Sequence, residues 1–330
     1  MKARNSILTS VGIGAIMAAA LPAMTNAEAP SSISIGTSAI GGTYYVYGGG
    51  MATVIQDALG TSASVEVTAG PSQNIALIDA GEIEIGLVTT GPLYDSWTGA
   101  ADWTEGEERR DFRLLFPMFM TPFHGITLGG DGECSIEDLN DTRVGIGPAA
   151  STPGTYLPMF LPEIGIDATL QPGGTSDQAS QLMDGLLDHM MTAAGLPVPA
   201  VQEVRAQQDS CLFSFSEDQI EQLVDTYPFV GREVIPAGTY EGFDEDLPTI
   251  GMWNFAVSHA DLDADYVYEL VKAVMENNEA MVETHSSALE TVPENIERNT
   301  FAWLHPGAIR YFEEIGIEID ESAYPPEMTD

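Results

Sequence analysis

A chain of 330 residues with 50 acidic and 11 basic side chains carries a net charge of −39, which repels nucleic-acid phosphates and anionic lipid headgroups and excludes both as main partners. The length suits one large core or two medium ones with a cleft between them, and a hydrophobic content of 44% without repeats or low-complexity tracts describes an ordered globular fold. So acidic and lysine-poor a surface suits high ionic strength, where a Debye length of about 3 Å screens self-repulsion.

In chain order, Lys2 and Arg4 open a basic start, residues 7–20 are apolar, and Thr25, Asn26 and Ala27 offer small residues for cleavage, so residues 1–27 read as a signal peptide cut near Ala27. The apolar run is shorter than the ~20 residues a membrane-spanning helix needs and is followed by Pro22, which disfavours an anchor. The expected mature protein is exported and periplasmic. It retains nine basic residues against 50 acidic ones, about −41, with Lys272 as its one lysine.

Next, Ile33 and Ile35 alternate with polar neighbours as in a strand, Gly41 and Gly42 make a turn, and Tyr47, Met51, Val54, Ile55 and Ala58 recur at helical spacing. Such a glycine turn is often no more than a tight connection, but here the pattern repeats. Val65–Thr68 reads as a strand leading into Gly70 to Asn74 and a helix with Ile75, Leu77 and Ile78, and Ile83–Val88 is a strand ending in Thr89, Thr90, Gly91 and Pro92. Arg143–Gly147 leads into Pro148 to Thr155, and the apolar run around Met190 and Met191 ends in Thr192 to Pro197. Five strand ends thus deliver small or hydroxyl-bearing loops to helix starts, whose free N–H groups can hold an anion; in open α/β sheets such loops converge on one crevice. Further on, residues 266–283 and 309–315 are predicted helices, the first with an apolar stripe through Tyr266, Leu270, Val271, Val274 and Met275.

Catalytic patterns are missing. The five histidines are scattered and match no HExxH spacing, and neither a GxSxG elbow nor a P-loop occurs. Acidic clusters at 105–108, 244–246 and 261–265 lack the order of a calcium loop and read as solvated faces. Asp79, Glu82 and Glu84 decorate a helix end and a strand face rather than form an acid–base pair. No enzyme, metal or cofactor is expected. Export permits a disulfide between Cys134 and Cys211, which would be worth about 4 kcal/mol for so long a loop; whether they pair stays open, because pairing depends on a separation that sequence does not give.

The order of motifs resembles the TAXI solute-binding proteins of tripartite ATP-independent periplasmic (TRAP) transporters. The resemblance is carried by IGTSAIGGTYY at 35–45, TAGPSQNIALIDAGEIEIGLV at 68–88, VGIGPAASTPGT at 144–155, AAGLPVPAVQE at 193–203, YPFVGREVIPAGTYEGFDEDLPTI at 227–250 and LHPGAIRYFEE at 304–314. It implies an α/β, two-lobe periplasmic binding protein of the type II-like class, each lobe a mixed sheet flanked by helices, with lobe I at residues 28–122 and 250–330 and lobe II at 123–249. It further implies a monomer that captures a small organic anion, such as a dicarboxylate or an acidic amino acid, in the hinge cleft and delivers it to the permease subunits. Carried onto this chain, lobe I would supply Gly42, Thr43, Tyr44, Ser72, Asn74, Thr89 and Thr90, and lobe II would supply Ser151, Gly154, Thr155, Ala194 and Gly195. Pro153 stands where the family favours a small hydroxyl residue, so the roles of Ser151 and Thr152 stay open. Tyr44, Trp97, Tyr240 and Trp253 either pack on an aliphatic part of the ligand or belong to the core. A sensor for a receptor kinase is the alternative within binding proteins, and an exported enzyme on the same scaffold the alternative outside them.

Overall fold

The structure is a computed structural model and describes residues 30–129 and 134–328; the leader expected at 1–27 lies outside the described residues. The chain begins with the units β1 (Ser32–Gly36), α1 (Thr43–Leu59), β2 (Ser62–Glu66), α2 (Pro71–Asp79), β3 (Ile85–Thr89) and α3 (Thr90–Thr98), and then enters the 17-residue strand β4 (Phe112–Leu128). A second set follows: β5 (Arg143–Gly145), α4 (Thr152–Glu163), β6 (Thr169–Gln171), α5 (Thr175–Met183), β7 (His189–Ala193), α6 (Pro199–Gln207), β8 (Ser210–Phe213), α7 (Glu217–Thr226) and β9 (Gly231–Ile235). The 13-residue strand β10 (Leu247–His259) leads back to α8 (Ala264–Glu276), α9 (Asn278–Thr284) and α10 (Pro306–Glu314).

One curled mixed sheet runs in the order β2-β1-β3-β10-β4-β7-β5-β6, with β8 added on β4 and β9 on β10. β1 pairs in parallel with both β2 and β3, and β5 in parallel with both β6 and β7, as right-handed strand–helix–strand units require; β10 runs antiparallel to β3 and β4. β4 is the shared spine. Its residues from Phe112 to Pro122 pair with β10, and from Phe123 onward it pairs with β7 and β8.

The apolar residues sort into separate cores on either side of that change of partners. One is drawn from residues 33–119 and 253–323, and the others from residues 123–252. The two long strands are thus the covalent and hydrogen-bonded connections between two lobes. Cys134 and Cys211 are disulfide-bonded, Cα–Cα 6.2 Å, and tie the segment after β4 to β8.

Local departures from the sequence reading have local causes. The helix expected over residues 266–283 is two, because Asn277 leaves helical geometry at φ −110°, ψ 29° and its side-chain amide donates back to the Ala273 carbonyl at 2.8 Å. The strand expected at 65–68 ends at Glu66, since Thr68 turns inward, its hydroxyl 2.7 Å from Asn74 Oδ1 and 2.9 Å from the Thr37 carbonyl. Gly48 and Gly50, weak helix formers, lie where a Cβ would come within 2.5 Å of Thr37 Cγ2 and 2.7 Å of Thr284 Oγ1, so they allow α1 to pack closely. No helix among the described residues is long and apolar enough to cross a membrane.

Candidate functional site

Four helices begin at one point between the lobes. α1 starts at Thr43 after the turn Gly41–Gly42, α2 at Pro71, α4 at Thr152 and α5 at Thr175. Their first residues, with Thr121 from β4 and residues 190–194 of β7 and its loop, enclose a pocket of about 40 Å³. A helix start presents N–H groups without intrahelical partners and a partial positive charge of about half an electron. The Ser151 side chain caps α4 and Asp177 lies in the first turn of α5, whereas α1 and α2 have neither a side-chain cap nor an acidic residue in the first turn, so their positive ends stay uncompensated by these groups. No Asp, Glu, Lys, Arg or His lines the pocket; Met190 and Met191 supply apolar wall, and Ser38, Ser151, Thr175 and Thr192 supply hydroxyls.

The wall is rigidly held. Gln178 accepts from the Gly147 N–H at 2.7 Å and donates to the Gln171 carbonyl at 2.6 Å, which fixes the loop entering α4 against α5. Tyr44 Oη donates to Asn254 Oδ1, and Asn254 Nδ2 donates to the Phe119 carbonyl and to Thr121 Oγ1, so the ring is locked to both long strands. Burial raises the Tyr44 pKa well above the usual phenol value, which keeps that hydroxyl neutral.

Around the pocket the lobes touch through hydrogen bonds. Thr43 Oγ1 donates to the Gly195 carbonyl at 2.5 Å, Ser176 Oγ to the Ile40 carbonyl at 3.1 Å, and the Ala200 N–H to the Gly41 carbonyl at 3.3 Å. Thr89 and Thr152 hydroxyls are 3.1 Å apart, Thr90 Oγ1 donates to the Phe229 carbonyl, and Tyr156 Oη donates to Asp95 at 2.6 Å. Gly70, at φ 126°, lies against Ser151: a Cβ there would meet Ser151 Cα at 2.7 Å.

Of the residues selected from sequence, Gly42, Thr43, Tyr44, Ser151 and Ala194 line this pocket. Thr89 and Thr90 instead join the lobes, and Gly195 backs onto Phe119 and Thr43. The Gly154 N–H is taken up by the Ser151 hydroxyl at 3.2 Å, and Ser72 and Thr155 line a neighbouring cleft. Asn74 is fully buried and does not line this pocket; its side-chain NH2 lies within hydrogen-bond distance of the carbonyls of Gly36, Thr37 and Leu87, and its oxygen accepts from Thr68. Tyr240, Trp97 and Trp253 belong to the cores and do not line the pocket.

Sequence reasoning missed Thr121, Thr175, Gln178 and Thr192. One signal was available: Gly173, Gly174 and Thr175 repeat the Gly-Gly-Thr of residues 41–43, and both triplets open helices at this pocket. Among the described residues no group of three or more His, Cys, Asp or Glu side chains is arranged to hold a metal.

A model of the NMT1-like family matches residues 35–316. In structure the chain is similar to the periplasmic binding protein BugD, with a TM-score of 0.57 and 16% identity over 88% of this chain and 99% of that one. It is also similar to MatC from Rhodopseudomonas palustris with bound malate, with a TM-score of 0.56 and 14% identity over 86% of this chain and 95% of that one. A third neighbour, described as a periplasmic transporter, has a TM-score of 0.56 and 14% identity over 86% of this chain and 92% of its own. The fold is therefore that of periplasmic binding proteins, an α/β architecture with a mixed sheet flanked by helices.

Proposed function

The chain belongs to the NMT1-like family, and from that premise we propose that it is an extracytoplasmic solute-binding receptor that captures a small organic anion, a dicarboxylate or an acidic amino acid, and delivers it to the membrane permease of a TRAP transporter. The observation that carries the anion is the convergence of four helix starts on an interlobe pocket without a charged side chain. Backbone N–H groups and neutral hydroxyls satisfy a carboxylate there, and Met190 and Met191 take the aliphatic part. Malate, the ligand named for the MatC structure, belongs to this substrate class.

Capture follows from the hinge. With the lobes apart the helix starts face water; a carboxylate that bridges α1 to α4 and α5 draws the lobes together, and the contacts Thr43–Gly195 and Thr89–Thr152 then hold them. The reading makes the protein a receptor and not an enzyme. Asp79 pairs with Arg109, Glu84 accepts from the Ser34 N–H, and neither they nor Glu82 line the pocket.

The test is a panel of dicarboxylates and amino acids, scored by thermal shift in molar salt and confirmed by calorimetry. A saturable rise in melting temperature with one class is expected; no shift with any small carboxylate overturns the reading. Mass spectrometry of the recovered ligand is expected to show it unchanged. Transport by vesicles containing the cognate permease, abolished when the receptor is omitted, tests the TRAP assignment.

A further inference from the structure

Along the same interlobe seam, next to the small pocket, lies a larger cleft of about 760 Å³, a volume typical of small-molecule sites. The two adjoin at consecutive residues: Pro71 and Ser151 line the pocket, Ser72 and Ala150 the cleft. Their chemistry differs. The walls of the cleft are aromatic, with Tyr94 and Trp103 from lobe I and Tyr227 and Phe229 from lobe II; the Tyr94 and Phe229 ring centroids are 5.5 Å apart, and those of Tyr227 and Phe229 are 5.8 Å apart.

Two polar groups in this cleft lack the partner their burial calls for. Asp95 is 7% exposed and accepts from Tyr156 Oη at 2.6 Å, but no ion pair among the described residues includes it. Burial raises its pKa, against the hydrogen bond from Tyr156. Ser72 is 8% exposed, and its Oγ has no hydrogen-bond partner among the described residues.

We propose that this cleft binds an organic cation, a substituted ammonium held against the aromatic wall with Asp95 as its counter-ion. Each wall selects for positive charge. Aromatic faces carry negative potential and attract ammonium groups once water is excluded. A buried carboxylate without a cation is costly, so a positive ligand removes a penalty that a neutral one leaves in place. An anion would face both Asp95 and Asp102. Cations are also the species that a chain of net charge −39 concentrates at its surface. Because Tyr94 and Trp103 belong to one lobe and Tyr227 and Phe229 to the other, an occupant stabilises the closed arrangement independently of what fills the small pocket.

The probe is tetramethylammonium chloride, titrated into the mature protein against sodium chloride at constant ionic strength and followed by tryptophan fluorescence and calorimetry. Saturable binding is expected, weakened about tenfold by Asp95→Asn and by Trp103→Leu. Asp95→Asn keeps an acceptor for Tyr156, and Trp103→Leu provides an independent reading should that variant fold poorly. No saturable binding to the wild-type protein, or binding indifferent to both Asp95→Asn and Trp103→Leu, overturns the proposal. Organic acids failing to bind would defeat the anion reading and leave this one standing.

Discussion

Thr43 and Gly195 lie 152 residues apart in sequence, yet Thr43 Oγ1 donates to the Gly195 carbonyl at 2.5 Å, across the seam between the lobes and at the edge of the pocket. The bond exists only when the lobes are together, so it belongs to the closed state. Replacing Thr43 by Val keeps the shape and removes the donor, leaving a carbonyl buried without it. The expected loss is about 1 kcal/mol from the closed state, or roughly a fivefold weaker affinity for the ligand with the chemical stability little changed. Calorimetric titration beside urea denaturation checks it; equal losses in both would show that the bond holds the fold and not the closure.

Asn74 is expected to behave in the opposite way. Its two N–H bonds are shared among three carbonyls within hydrogen-bond distance, those of Gly36 and Thr37 at the end of β1 and of Leu87 in β3. Asn74→Leu leaves those buried acceptors without the amide and costs about 3 kcal/mol of folding stability. Urea denaturation measures this, and ligand affinity of the folded fraction stays close to wild type.

The disulfide between Cys134 and Cys211 spans 77 residues. In the chain-entropy model a loop of that size stabilises the folded state by about 4 kcal/mol, so the double substitution to Ser lowers the free energy of unfolding by an amount of that order. A loss under about 1 kcal/mol would mean that the unfolded chain keeps those segments close without the bond.

His124 is fully buried, with Nε2 2.8 Å from Tyr240 Oη, which itself accepts from the Val198 N–H at 3.0 Å. Burial lowers its pKa from 6.5 to about 4, and burial does the same for His305. Below pH 6.5 the unfolded chain binds a proton that the folded chain refuses. The contribution of each histidine is therefore complete above pH 6.5 and is lost as pH falls towards 4, with a slope of up to about 1.4 kcal/mol per pH unit. Denaturation curves at pH 7, 6 and 5 measure it, and His124→Gln flattens the slope between pH 6.5 and 4.

The charge of the chain and the chemistry of its pocket pull in opposite directions. At low salt the field of −39 charges repels an approaching anion, whereas the helix starts act only at contact. Raising sodium chloride from 0.05 to 1 M is therefore expected to accelerate association of an organic acid severalfold, the reverse of ordinary electrostatic steering. Stopped-flow fluorescence over that salt range decides it; a falling rate would contradict an anionic ligand.

The strand, glycine-turn and helix units were legible in the sequence because their causes are local. Alternation at Ile33 and Ile35, helical spacing from Tyr47 to Ile55 and the Gly41–Gly42 turn each act within a few residues, whereas the choice of Gly42, Thr43, Tyr44, Ser151 and Ala194 as lining residues came from the family resemblance. Which hydroxyl on a helix start faces the pocket is a different matter. Successive helical residues point about 100° apart, so Pro71 lines the pocket while Ser72 turns to the neighbouring cleft, and only the packing of α2 on its sheet fixes that rotation. The same holds for Asn74, whose acceptors come from two other strands, for the pairing of Cys134 with Cys211, and for Asp95 set among rings from both lobes. Backbone preference and periodicity act along the chain, so the sequence by itself determined the units and their loops. The direction in which each side chain points across the seam depends on contacts between residues distant in sequence, and only the tertiary structure decided it.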